Sequence, residues 1–191
     1  PGPPAIALSP GAGALAAWIE DGHLWTARTA RGVFEAAREV SSEDASAPAA
    51  ALSPGGAALA SWGVGLPGGS SVVLGAGRSA GGMAWAAAED LGIGRAPRAA
   101  LNDHGDAVVA WSLAGPGEPQ GIEATTRRRD GAWQASTVVP RRTCACALTV
   151  GRVAIDGTGL AVVGWRRDDG SGVGGGGAAS GRAGGSDWIR A

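Results

Sequence analysis

The stretch RAALNDHGDAVVAW, residues 98–111, joins two short apolar segments through a cluster of turn-forming residues and ends on Trp111. Three other stretches follow the same 14-residue pattern without a gap: AIALSPGAGALAAW (5–18), AAALSPGGAALASW (49–62) and RVAIDGTGLAVVGW (152–165). All four blocks have alanine at the third and tenth positions, a large aliphatic residue at the fourth and tryptophan at the fourteenth. The chain therefore contains four copies of one structural unit.

Each block predicts a β-hairpin. The block centres are Ser-Pro-Gly, Asn-Asp-His-Gly or Asp-Gly-Thr-Gly, all of which favour turns. The second apolar segment, such as 107–111, is apolar at consecutive positions, which is typical of a strand covered on both faces. The repeated small alanines indicate places where neighbouring sheets approach closely.

A weaker pattern of strand, glycine-containing turn, aromatic residue and strand follows the first three blocks, at 24–40, 73–91 and 122–139, and begins again at 177–191. Four short strands in about 45–50 residues are typical of a propeller blade. The sequence therefore predicts a single all-β region, 1–191, that forms a β-propeller or part of a larger one. The predicted blades are 5–48, 49–97, 98–151 and 152–191, the last of them incomplete. A β-sandwich is the alternative, although it does not require the same hairpin in every repeat.

Most of the tryptophans fit this repeat. Four close the blocks and three follow the later turns, and Trp25 is the exception; the seven are Trp18, Trp62, Trp85, Trp111, Trp133, Trp165 and Trp188. Large aromatic side chains dominate the energetics of protein cores. We therefore expect the set to pack in the core and between blades.

Composition and charge limit the possible functions. The chain has 191 residues, is 45% hydrophobic and carries a net charge of −1, so it can form one domain with a sizeable core. A nearly neutral chain has no bulk attraction for nucleic acid, and none is predicted as a partner. The uncharged run between Asp44 and Arg78 is broken by prolines and glycines and predicts no membrane span. Because the chain begins with Pro1 and has one methionine, Met83, we expect a processed or excised segment.

The polar residues of the third block are the candidates for a metal site. Asn102, Asp103 and Asp106 offer oxygen atoms that suit Ca²⁺, but their spacing is not that of a complete calcium loop and only this block has them. Asx side chains that bind their own backbone explain them equally as a hairpin turn, which we favour. His104 in the same turn is a candidate ligand contact, and a solvent-facing loop position is the simpler interpretation.

Two arginine clusters are further candidates. Arg127 and Arg128 precede an Asp-Gly turn, and Arg166 and Arg167 precede two aspartates. Arginine forks suit phosphate and carboxylate groups, whereas charges on edge strands also protect a sheet from association. Cys144 and Cys146 are too close for an unstrained disulfide and have no second pair with which to complete a metal site. No catalytic or cofactor-binding motif is present, so no catalytic residue and no cofactor are predicted.

The repeats resemble bacterial propellers of the sialidase-like, Asp-box (BNR) type. An Asp-box reads Ser-x-Asp-x-Gly-x-x-Trp at the turn between the third and fourth strands of a blade. Here that turn contains Arg129-Asp130-Gly131-Ala132-Trp133, and the pairs Gly82–Trp85 and Gly185–Trp188 keep the glycine-to-tryptophan spacing without the acidic residue. These are degenerate boxes. The resemblance implies a tyrosine nucleophile in a sialidase site, but the chain contains no tyrosine.

We therefore hypothesise a non-catalytic β-propeller module that binds a protein or carbohydrate partner or serves as a scaffold. One alternative is a fragment of a sialidase-like glycoside hydrolase whose catalytic residues lie outside this chain. Another is a lectin-like propeller whose tryptophans stack on sugars. A secreted or surface location is what the resemblance implies. An unclosed propeller would expose sheet faces at both ends, which favours self-association.

Overall fold

A computed structural model of the chain describes residues 2–30, 32–42, 44–113, 121–139, 147–168, 175–182 and 188–190. The described residues form strands, turns and loops without a helix, so none of them forms a helix able to cross a membrane. The strands group into four antiparallel sheets in chain order. The predicted all-β class is therefore confirmed.

Strands that are consecutive in the sequence lie side by side in each sheet, except that β4 and β5 both pair with β3. Sheet 1 contains β1 (Ala5–Ser9), β2 (Gly13–Glu20), β3 (His23–Ala30), β4 (Val33–Phe34) and β5 (Arg38–Ser41). Sheet 2 contains β6 (Ala45–Leu52), β7 (Ala58–Gly65), β8 (Ser71–Arg78) and β9 (Glu89–Ile93). Sheet 3 contains β10 (Arg95–Leu101), β11 (Ala107–Ser112), β12 (Ile122–Arg127) and β13 (Thr137–Val139). Sheet 4 contains β14 (Ala147–Ile155), β15 (Leu160–Asp168), β16 (Gly175–Arg182) and β17 (Trp188–Arg190).

The predicted hairpins are confirmed and share one register. In every block the fourth residue lies opposite the tenth, in the pairs Leu8–Ala14, Leu52–Ala58, Leu101–Ala107 and Ile155–Ala161. Residues opposite each other in an antiparallel pair lie on the same face of the sheet. The blocks are therefore structurally equivalent as well as similar in sequence.

The first strands of sheets 2, 3 and 4 begin upstream of their blocks. A register shift separates the added residues from the block in each case, and Ala47 and Ala96 at two of these irregularities have positive φ. Such a bulge carries one residue without a ladder partner and hides the strand pattern from the sequence. The strands β6, β10 and β14 consequently start before the positions 49, 98 and 152 where the predicted blades begin.

The sheets pack in series through opposite faces. We call the face that carries the second, fourth, tenth, twelfth and fourteenth block positions the front face, and the other the back face. Trp62 on the front of sheet 2 packs with Ala17 and Leu24 of sheet 1. Trp111 on the front of sheet 3 packs with Leu59 of sheet 2, and the front of sheet 4 covers sheet 3 in the same way. The expected packing role of these block tryptophans is confirmed.

Trp18 has a different environment from Trp62 and Trp111. Within the described ranges, the main contacts between strands of different sheets join successive sheets, and none of them joins sheet 4 to sheet 1. Among the described residues, no sheet packs against the front face of sheet 1, and Trp18 is half-buried where Trp62 and Trp111 are fully buried. A sandwich would pair two sheets face to face instead of stacking four in series, so the β-sandwich alternative is wrong.

Candidate functional site

A groove of about 540 Å³ lies between sheets 2 and 3, at the edge where the β6–β7 and β10–β11 turns meet. Arg78 and Arg127 reach it because each is the last residue of the third strand of its sheet, opposite the tenth-position alanine of the block. A small residue at that position leaves room beside the guanidinium group. The lining also includes Trp85, Asp103, His104 and Arg129.

Arg127 carries a positive charge that is partly withdrawn from water. Its side chain is 19% exposed, and burial lowers its pKa against the opposing effects of Glu89 and Asp130. The guanidinium lies 4.8 Å from the ring centre of Trp133, a cation–π distance. The nearest carboxylate oxygen, on Glu89, is 3.8 Å from Nη1, too far for a hydrogen bond. Within the described residues, the guanidinium therefore donates no hydrogen bond to the protein.

The path of Arg127 across sheet 2 depends on a glycine. A Cβ atom added at Gly77 would collide with Nη2 of Arg127. Gly77 is the residue before Arg78 on β8, so the absence of its side chain lets the two cationic groups line one groove. The groove is thus built jointly by the two sheets.

Arg78 differs from Arg127 in being satisfied by the protein. Its side chain is almost fully buried, and its Nε donates a hydrogen bond to the carbonyl oxygen of Gly82. Its Nη2 lies 3.8 Å from Glu35 of sheet 1, the same distance that separates Arg127 from Glu89. A second groove of about 470 Å³ repeats the arrangement between sheets 1 and 2, with Arg28 and Arg78 in its lining. There Arg28 donates to the carbonyl oxygen of Gly56 at 2.9 Å. Arg28 and Arg78 thus each donate a hydrogen bond to a backbone carbonyl, whereas Arg127 donates none within the described residues.

The turn of the third block is a closed hydrogen-bond network. Oδ1 of Asn102 accepts the backbone N–H groups of His104 and Asp106, at 3.0 and 2.8 Å. Its Nδ2 donates to the Asp106 carboxylate and to the carbonyl oxygen of Asp156 in sheet 4. The other Asp106 oxygen accepts the N–H of Arg129. The oxygens of Asn102 and Asp106 that a cation would require are therefore bound to N–H groups.

The other blocks contain related turns. Oδ1 of Asp156 accepts the N–H groups of Thr158 and Leu160, and Oγ of Ser53 accepts the N–H of Ala57. The equivalent position thus stabilises the hairpin with an oxygen in three of the blocks. No group of three or more His, Cys, Asp or Glu side chains suited to a metal ion occurs in the part of the chain that the structure describes.

The structure gathers some of the sequence-predicted candidates and separates others. Asp103, His104 and Arg127 line the same groove, and Asp103 and His104 are exposed. Arg128 is exposed and lies outside this lining. Arg166 pairs with Thr149 at the far end of its hairpin, so it lies at the opposite edge of the sheets. The Arg167 side chain, Cys144 and Cys146 lie outside the described residues.

Three groove residues are not predicted from the sequence as ligand contacts. Arg78, Trp85 and Arg129 come from the weaker second half of the repeat, where no position is constant across the copies. A usable signal was present: Arg78 and Arg127 both end a third strand opposite the tenth block position. This equivalence is visible only from the register between the second and third strands of each sheet, which the 14-residue blocks do not contain.

Comparison with known proteins identifies the architecture. No protein-family model and no curated protein matches the chain. Among solved structures, the Hadza microbial sialidase Hz136 matches with a TM-score of 0.61 at 12% identity, over 98% of this chain and 45% of the sialidase. The Penicillium chrysogenum alpha-L-arabinanase complexed with arabinobiose gives 0.60 at 12% identity, over 98% and 65%. The chain has a β-propeller fold.

A further structural match agrees with this assignment. An ulvan lyase of the polysaccharide lyase family PL25 matches with a TM-score of 0.59 at 9% identity, over 98% of this chain and 56% of the lyase. The predicted propeller is therefore confirmed, and its likeness to sialidase-type structures holds at the level of the fold. The chain spans between 45% and 65% of the length of these proteins.

Proposed function

We propose that this chain is a non-catalytic β-propeller module that binds an anionic saccharide in the groove between sheets 2 and 3. The observation that carries the proposal is Arg127, whose side chain is 19% exposed and lies over the Trp133 ring, with Glu89 3.8 Å away, and donates no hydrogen bond to described protein groups. Burying a charge is costly unless it gains a partner. A carboxylate or sulfate in the groove would supply the two-pronged acceptor that an arginine fork prefers.

The remainder of the groove suits a sugar. Trp85 offers an aromatic surface, and Asp103 and His104 offer exposed polar groups around Arg127. Such a combination of a flat apolar surface, hydrogen-bonding groups and one cation matches the mixed polarity of a uronate or sulfated sugar. The structural neighbours include an arabinanase with arabinobiose and an ulvan lyase bound to -[GlcA(1-4)Rha3S]-. They share the fold with this chain and motivate the choice of saccharides as ligands.

The chemistry of the groove supports binding without catalysis. Glycoside hydrolysis generally uses a pair of carboxyl groups on either side of the scissile bond. The carboxylates in the described groove lining are Asp103 and Asp130, both exposed on turns. The sialidase-like resemblance implies a tyrosine nucleophile, which this chain does not contain. A hydrolase fragment would need these groups from outside the chain.

In a lectin-like function, Trp85 and not the buried block tryptophans would stack on the sugar. Trp62 and Trp111 are fully buried between sheets, so these block tryptophans have no free face on which a sugar can stack. Trp85 lines the groove and is only partly buried. An extracytoplasmic or surface location belongs to the same proposal, because anionic polysaccharides are met outside the cell.

Replacing Arg127 with methionine is expected to weaken binding of a GlcA–Rha3S oligosaccharide about 10- to 150-fold, the value of one charge-assisted hydrogen bond. Isothermal titration calorimetry of the folded chain measures this change. Arg128→Met is the matched control, since Arg128 is the adjacent residue and is not part of the groove lining. We expect it to bind as the wild type does.

Neutral arabinobiose is the control ligand, and we expect no measurable heat from it. Equal loss of affinity in Arg127→Met and Arg128→Met, or equal binding of both sugars, contradicts the proposed groove. Release of new reducing ends from the oligosaccharide contradicts the non-catalytic role. Circular dichroism of each variant verifies that it is folded.

A further inference from the structure

The groove between sheets 1 and 2 takes no part in the proposed function. It has a volume of about 470 Å³, and its lining includes Arg28, Arg78, Glu35 and several glycines. Because glycine has no side chain, the charged groups and the backbone remain open to this cavity. We call it the second groove, and we call the groove that contains Arg127 the first groove.

Glu35 brings a half-buried carboxylate to the second groove. Its side chain is 33% exposed, and its ion-pair partner, Nη2 of Arg78, is 3.8 Å away, beyond hydrogen-bond distance. Within the described residues, the carboxylate accepts no hydrogen bond. Its place is fixed nevertheless, because the backbone N–H of Glu35 donates to the carbonyl oxygen of Arg28 at 2.8 Å. Polar groups that are withdrawn from water require partners, so Glu35 points to a ligand that donates hydrogen bonds.

The two arginines supply hydrogen-bond donors beside this acceptor. Arg28 uses Nη1 on a backbone carbonyl oxygen of sheet 2, and Arg78 uses Nε on that of Gly82. A guanidinium has five N–H groups, so each arginine keeps donors that no described residue accepts. Donors next to an acceptor match the hydroxyl groups of a sugar, since a hydroxyl both donates and accepts. Glu35 also offsets the charge of Arg78, so the second groove favours a neutral sugar unit over an acidic one, which the carboxylate would repel.

The two grooves share one wall, which is formed by Arg78 and the loop 79–86 that follows it. Arg78 lines both grooves, and on the loop Met83 lines the second groove and Trp85 the first. Nε1 of Trp85 donates to Oγ1 of Thr26 at 3.1 Å, which holds the loop against sheet 1. The loop is mostly alanine and glycine, so a chain of linked sugars can cross it from one groove to the other.

We propose that the second groove is a subsite for a neutral sugar unit, and that the ligand is an oligosaccharide with its acidic unit on Arg127 and its neutral unit on Glu35 and Arg28. The inference rests on the proposed function, because the acidic unit occupies the first groove. It adds that the module recognises an acidic sugar joined to a neutral one. A single acidic sugar then fills only part of the site.

Calorimetry with an unsulfated GlcA–Rha tetrasaccharide and with free glucuronic acid tests the role of Glu35. Glu35→Ala is expected to weaken binding of the tetrasaccharide about 10-fold, the value of one hydrogen bond to a charged group, and to leave the affinity for glucuronic acid unchanged. Glu35→Gln keeps a carbonyl acceptor and should restore most of this loss. Glu39→Ala is the matched control and should bind both ligands as the wild type does. Glu39 has a similarly exposed carboxylate, paired with His23, and lies outside both linings.

Equal losses for the two ligands in Glu35→Ala overturn the subsite, because they mean that Glu35 acts only on the structure. The same dependence on Glu35 for tetragalacturonate, in which every unit is acidic, overturns the preference for a neutral unit.

Met83 reports on the second groove directly, because it is the only methionine of the chain and its exposed side chain lines this groove. After ¹³C-methyl labelling of methionine, the tetrasaccharide is expected to shift the Met83 methyl signal and the Trp133 indole signal over the same range of concentrations. Glucuronic acid should shift Trp133 and leave Met83 in place. If the tetrasaccharide shifts Trp133 but not Met83, the second subsite is wrong and the first groove stands. If it shifts neither, both proposals are wrong.

Discussion

Replacing Trp111 with alanine is expected to lower the free energy of unfolding by about 3–5 kcal/mol, the range for a fully buried large aromatic residue. Its side chain has no exposed surface and packs with Leu59 and Val73 of sheet 2. Its Nε1 donates to the carbonyl oxygen of Ile93 at 2.9 Å, which ties the two sheets together. Gly94 has positive φ and lies so close to the indole that a Cβ there would collide with it. We therefore expect the cavity that the missing indole leaves to collapse only in part.

Trp18→Ala is the matched control for Trp111→Ala. Both residues close a block, but Trp18 is half-buried on the open front of sheet 1. We expect Trp18→Ala to lower the free energy of unfolding by less than about half as much as Trp111→Ala does, because Trp18 buries less apolar area in the folded chain. Urea unfolding followed by circular dichroism measures both changes. Equal losses would contradict the front-to-back stacking order.

Asn102→Ala is expected to lower the free energy of unfolding by about 2–4 kcal/mol, since it leaves several buried polar groups without partners. The Asn102 side-chain amide accepts hydrogen bonds from the N–H groups of His104 and Asp106. It donates hydrogen bonds to the Asp106 carboxylate and to a carbonyl oxygen of sheet 4. Asn102 and Asp106 are both buried. Thermal unfolding should therefore begin at a lower temperature even though the change is small in volume.

Asp103→Ala distinguishes this structural role from a metal site. Asp103 is exposed in the same turn, and its replacement should change the stability by no more than about 0.5 kcal/mol. A calcium site formed by Asn102, Asp103 and Asp106 predicts the opposite: Asp103→Ala would be as harmful as Asn102→Ala, and added Ca²⁺ would raise the melting temperature of the wild type. Differential scanning calorimetry with and without Ca²⁺ separates the two.

The hairpins and their register could be predicted because the 14-residue block has no gaps. A constant alanine at the tenth position and tryptophan at the fourteenth fix both the turn and the face. The bulges at Ala47 and Ala96 could not be predicted from the sequence, because a single residue with positive φ leaves no mark on hydrophobic periodicity. The predicted blade limits consequently fall inside β6 and β10.

The groove was harder to predict than the hairpins. Arg127 was a candidate because of its charged neighbours, yet Arg128 beside it is exposed and outside the lining. Alternate residues of a strand point to opposite faces, so a charge cluster in the sequence does not become a cluster in space. Arg78 joins Arg127 through the packing of two sheets, which a repeat pattern read along one chain does not show.

Indole N–H resonances in a ¹H–¹⁵N correlation spectrum test the proposed binding groove most directly. During titration with a GlcA–Rha3S oligosaccharide, we expect the signals of Trp85, which lines the groove, and Trp133, which underlies Arg127, to shift and saturate. Trp18 and Trp25 lie on sheet 1 and should not shift. Tryptophan-to-phenylalanine variants assign the signals. If Trp85 and Trp133 remain unchanged while the other indoles shift, or if no signal moves at saturating ligand, the groove is not the saccharide site.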